Sequence, residues 1–123
     1  MRKIILCLSL MMILTACGSS ESSITLAELP DTGDAVNGEA LFSEYNCNAC
    51  HVEGASGAPN LDDLADRADS IVAGQSAREY TFYAIVEPSQ HIAEGYGNAM
   101  PNNYDDRMTP QEIADLVAYL LDS

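Results

Sequence analysis

The sequence predicts an all-α fold from three observations. Two segments open with reciprocal helix caps, apolar residues recur at helical spacing in the second of these, and no run alternates apolar and polar residues over strand length. A first helix is expected over residues 35–46, where Val36, Leu41, Phe42 and Tyr45 are the apolar members. Shorter helices are expected near residues 61–65 and 70–73. The next begins at Ser76, whose side chain and that of Glu79 are spaced to satisfy each other's end of the first turn. It stops before Pro88, which lacks a backbone donor and disfavours helical geometry at Glu87. The last helix has the fullest start signal. Thr109 is its N-cap, Pro110 sits at the first helical position, Glu112 closes a capping box, and Met108 and Ile113 are spaced as a hydrophobic staple. Ile113, Leu116, Val117, Leu120 and Leu121 then fall on one face.

The 123-residue chain divides into three parts. Residues 1–16 have the form of an export signal. Met1, Arg2 and Lys3 make a short positive head, and residues 4–14 an apolar stretch too short to span a bilayer stably. Leu14-Thr15-Ala16-Cys17 follows, and it resembles the lipobox of bacterial lipoproteins, in which the cysteine takes a diacylglyceryl thioether. Cys17 is therefore the expected lipidation site and mature N-terminus, with an ordinary signal peptide or an uncleaved anchor as the alternatives. Residues 17–33, rich in Ser, Glu and Thr, are expected to form a flexible tether. Residues 34–123 are left for one small domain, whose modest core an embedded cofactor would enlarge.

Nineteen acidic residues against five basic ones give a formal charge of −14. Loss of the signal removes Arg2 and Lys3, making the mature chain two units more negative and leaving no lysine. Nucleic acid and anionic headgroups are excluded as partners by such a surface. Two readings of the charge stand: docking to a redox partner with a basic patch, or plain solubility.

Cys47-Asn48-Ala49-Cys50-His51 is a C-x-x-C-H motif. Two thiols three residues apart at a helix end can both reach the vinyl groups of one haem edge, and the adjacent imidazole then lies under the iron. The motif therefore predicts one covalent haem c held through Cys47 and Cys50, with His51 as proximal iron ligand. A structural zinc site needs four ligands, commonly with a second paired motif, and beyond this cluster the domain offers only the lone His91. A dithiol redox pair would want a βαβ setting that the sequence lacks.

Gly38, Phe42, the Cys47–His51 motif, Met100-Pro101 and the Ile113, Leu116 and Tyr119 positions of the last helix together resemble a class I cytochrome c over residues 34–123. The resemblance implies helices wrapped around one haem, the first and last crossing at Gly38, where Phe42 and Tyr119 pack. A glycine there would let another backbone come close. Gly57-Ala58-Pro59-Asn60-Leu61 is similar to the family's loop after the haem motif, which implies that the Pro59 carbonyl orients His51. A simple turn proline is the alternative. Three residues are candidates for the sixth iron position: Met100, Met108 and His91. Met100 lies in a glycine-rich loop that matches the family's ligand loop, Met108 already serves the staple, and His91 would give bis-histidine ligation.

The segments around Arg67 to Gly74, Ile85 to Pro88 and Glu94 to Tyr96 are similar to cytochrome c domains of respiratory membrane complexes. These include the domain fused to some oxidase second subunits and the small cytochrome subunit of alternative complex III. That likeness makes Arg67 a candidate partner for a haem propionate, a solvated helix-end arginine being the alternative. The sequence lacks the lysine-rich face of mitochondrial cytochrome c. The expected function is a membrane-anchored, mono-haem, one-electron carrier in a respiratory or photosynthetic chain, not an enzyme, facing the periplasm or cell exterior. It would be free-standing or a subunit of a complex, with no small-molecule substrate. A haem-based catalytic or gas-sensing domain with an open sixth position is the alternative, and a structural subunit with an incidental haem a third reading.

Overall fold

Four α-helices carry the fold in a computed structural model that describes residues 22–122: α1 (Ala35–Glu44), α2 (Leu64–Ile71), α3 (Ala77–Val86) and α4 (Pro110–Asp122). The described residues contain no strand, and the all-α expectation holds. The expected signal at 1–16 and the lipidation site at Cys17 lie outside the described residues.

The caps read from the sequence are in place. Ser76 N–H donates to the Glu79 carboxylate at 3.0 Å, and Glu79 N–H donates back to Ser76 Oγ at 3.2 Å. At α4, Thr109 N–H donates to Glu112 at 2.7 Å and Glu112 N–H to Thr109 Oγ1 at 3.3 Å, with Met108 and Ile113 both buried. α1 starts on Asp34, whose carboxylate accepts from Val36 and Asn37 N–H groups. Each cap satisfies end donors that the helix itself cannot reach.

α1 crosses α4 closely. A Cβ at Gly38 would collide with the Asp115 carbonyl oxygen, so only glycine allows the two backbones this near. Phe42 and Tyr119 pack across the crossing with ring centroids 5.6 Å apart. Beside them, the buried Asp115 carboxylate accepts from Asp34 N–H at 2.8 Å, Asn37 Nδ2 at 2.7 Å and Gln111 Nε2 at 2.8 Å. Burial alone would push Asp115 up. The three donors outweigh it and hold the carboxyl below its ordinary value. The core beneath is Leu41, Phe82, Ile85, Ile113, Leu116, Val117 and their neighbours.

Two expectations need correction. The short helices expected at 61–65 and 70–73 are one helix, α2, because Leu64, Ala68 and Ile71 share a face and Leu64 and Ala68 are buried. It ends where Val72 turns extended and Gly74 takes φ of 87°.

The second concerns the tether expected over 17–33. From residue 22 onwards this segment is packed against the domain. Ile24 and Leu29 are buried in the core, a 3₁₀ turn spans Leu26–Glu28, and a Cβ at Gly33 would meet the Ala114 carbonyl. Arg78 on α3 donates to the carbonyls of Leu29 at 3.2 Å and Pro30 at 2.6 Å. Ser22 N–H reaches Glu87 at 3.3 Å, and Ser23 N–H reaches Asp105 at 2.6 Å. Irregular backbone can be held in this way because distant side chains satisfy its polar groups.

Candidate haem site

The motif is presented by a local reversal at the end of α1. Tyr45 N–H closes the helix on Leu41 O, and Asn46 then takes the left-handed conformation, φ 56° and ψ 30°, which asparagine tolerates better than most residues. The chain turns through Cys47–Ala49, with His51 N–H bonded to Cys47 O at 3.0 Å. Cys47 is half-buried and Cys50 exposed. Burial pushes the Cys47 thiol up, partly offset by its own turn and by the nearby Arg107 charge.

Cys47, Cys50 and His51 line one side of a cavity of about 370 Å³ that also takes in Pro59, Arg67, Leu116 and Met100. This volume lies within the roughly 300–1,000 Å³ typical of organic cofactor sites, and the lining is mainly apolar. A porphyrin fits these residues: paired sulfurs at the mouth, an imidazole beside them, a thioether in the same cavity and aliphatic walls between. Among the described residues, no three His, Cys, Asp or Glu side chains gather where they could share a bare metal ion.

His51 Nδ1 lies 2.8 Å from the Pro59 carbonyl oxygen. With the proton on Nδ1 donated there, Nε2 is left with a free lone pair for a metal. All three sixth-position candidates line the cavity, and their surroundings differ. Met108 is buried in the core at the foot of α4, and His91 is exposed and stacked edge-on to Tyr80 with centroids 5.8 Å apart. Met100 is half-buried in the loop ahead of Pro101. Arg67 is held over the cavity wall, Nε on Asp63 at 2.8 Å and Nη2 on the Asn60 carbonyl at 2.9 Å.

Several contributors escaped the sequence reading. Tyr80 and Tyr104 line the cavity, burial raising both hydroxyls so that they stay protonated. Arg107 lies 4.9 Å from the Tyr45 ring centroid and 5.6 Å from that of Tyr104, while the Tyr45 hydroxyl donates to Arg107 O at 2.9 Å. Tyr-Asn before the motif was the available signal for the left-handed turn; nothing local announces the Arg107 stack.

An all-α frame that carries a C-x-x-C-H turn to the mouth of an apolar cavity defines a mono-haem electron-transfer protein. A family model described as cytochrome c matches residues 35–123. The chain is 32% identical over 90 residues to cytochrome c6 of Gloeothece citriformis (strain PCC 7424), covering 73% of this chain and 72% of that protein. It is 26% identical over 98 residues to a cytochrome c6-like protein of Nostoc sp. (strain PCC 7120 / SAG 25.82 / UTEX 2576), covering 80% and 78%. The chain belongs to the cytochrome c family, as a class I member that binds one covalent haem c and carries electrons rather than catalysing a reaction.

Proposed function

We propose that this carrier is exported, anchored to a membrane by lipid on Cys17, and passes single electrons to or from a redox protein with a basic docking patch. Cys47 and Cys50 would hold the haem covalently, His51 and Met100 would ligate its iron, the Pro59 carbonyl orients His51, and Arg67 would be the candidate partner for a propionate. The haem supplies reversible one-electron iron chemistry; the chain sets ligation, burial and docking. The carrying observation is that His51, locked on Pro59 at 2.8 Å, and Met100 line the same cavity. With a ligand available for both positions, no place is kept for a substrate on iron, which favours a carrier over a catalytic or gas-sensing domain. The relatives' names, cytochrome c6 and cytochrome c6-like, support the carrier reading. We place it in a respiratory or photosynthetic chain, free-standing or as a small subunit of a membrane complex.

Replacing Met100 by Ala tests the ligand assignment. The haem stays attached, the potential falls markedly, and carbon monoxide binds the reduced form rapidly. An unchanged potential would assign the ligand elsewhere, and rapid carbon monoxide binding by the unaltered protein would support an open sixth position instead. Cys17→Ala is expected to release a red, soluble protein, and continued membrane retention would point to another anchor.

A further inference from the structure

Residues 22–33 form a strap packed against the domain. The strap is fastened along its length by Ile24 and Leu29 in the core, by Arg78 on two of its carbonyls, and by Gly33 against α4. Its first residues sit in a polar groove lined by Glu87, Ser89, Asn102 and Asp105. The groove adjoins the haem cavity through Pro88 and Pro101, the chain neighbours of Glu87 and Asn102.

We infer that the strap keeps the Ser22–Glu87–Asp105 edge on the membrane-facing half of the domain, restricting the orientations open to the haem cavity. This rests on lipidation of Cys17, and geometry supplies the rest. Four residues, Gly18 to Glu21, separate Cys17 from the strap. Five Cα steps reach at most about 18 Å. A domain of about 100 residues is roughly 33 Å across, from a radius of gyration of about 13 Å. Turning its far pole to the membrane would carry Ser22 about 33 Å away, beyond that reach. A free tether running to residue 33 would extend to about 55 Å and forbid no orientation. The strap converts a swivel into a short leash. The edge carries Glu87, Asp105 and Asp106 and is polar, so it does not adsorb to headgroups; the leash alone holds it there. A partner in the same membrane therefore meets the side of the cavity marked by the exposed Pro101.

The test uses the lipidated full-length holoprotein in phosphatidylcholine vesicles doped with a maleimide-headgroup lipid. Single cysteines replace exposed Ser89, in the groove, or exposed Glu53, two residues past His51 and outside the groove. Rates of lipid-adduct formation are normalised to each cysteine's reaction with a soluble maleimide. Ser89→Cys is expected to react at least about tenfold faster than Glu53→Cys, as the higher effective concentration requires. Inserting fifteen Gly and Ser residues after Ser20 should bring the two rates within about twofold of each other, with flotation unchanged. Equal rates on the native leash, with the protein still floating with vesicles, overturn the orientation alone. A protein that fails to float overturns the lipid anchor, and the orientation with it.

Discussion

Two residues at the α1–α4 crossing do work that their neighbours cannot take over. Gly38 faces a carbonyl oxygen of α4 so closely that a single methyl must move one backbone or the other. Gly38→Ala is expected to cost about 2–4 kcal/mol, mostly from overpacking. For a domain of this size that lowers the thermal midpoint by roughly 10–20 °C, measurable by circular dichroism. Asp115 collects three hydrogen bonds at the same crossing, and they hold its carboxyl below the ordinary value against burial. Its contribution is fully present above the unfolded value of about 3.9 and is lost as pH falls through the lower folded value. Asp115→Ala, which strands those donors, is expected to destabilise by about 2–4 kcal/mol at pH 7, and by less at pH 3, where the unaltered carboxyl is itself losing that advantage. Equal losses at both pH values in denaturant titrations would show that charge plays no part.

At the level of elements, legibility follows locality. The caps at Ser76 and Thr109 depend on residues three apart, so the sequence displays them and the structure repeats them. Ser76→Ala should cost about 1 kcal/mol, read as a shift in denaturant midpoint. The C-x-x-C-H motif was legible for the same reason, whereas the Pro59 loop and the Gly38 crossing were read through the resemblance to class I cytochromes c. α2 appeared only in fragments, since Asp62, Asp63, Asp66, Asp69 and Ser70 weaken the local helical signal and a buried face restores it. The strap was illegible. Its two core residues, Ile24 and Leu29, are five apart and fit neither period, and its backbone is held by Arg78, nearly fifty residues away in sequence. Arg78→Ala is expected to loosen the strap, read as faster hydrogen exchange and earlier proteolysis across 24–33, while the haem spectrum stays unchanged.

The whole molecule carries nineteen acidic residues, and the sign of its field governs the speed of encounters. With a cationic cobalt oxidant, the oxidation rate should fall roughly tenfold between 10 and 200 mM salt; with ferricyanide it should rise over the same range. Stopped-flow absorbance of the haem checks both slopes. A flat response to both would mean that the electron leaves through a surface electrically isolated from the acids.

The three arginines outside the first residues are all committed within the fold. Arg67 is held by Asp63 and Asn60, Arg78 by the strap carbonyls, and Arg107 by two aromatic rings. Among them only Arg107 is exposed, a single cation against many acids, so two copies meeting in solution mostly find acid opposite acid. Electron swapping between identical molecules is thereby slowed, and charge loaded onto one copy waits for an unlike acceptor instead of leaking through the population.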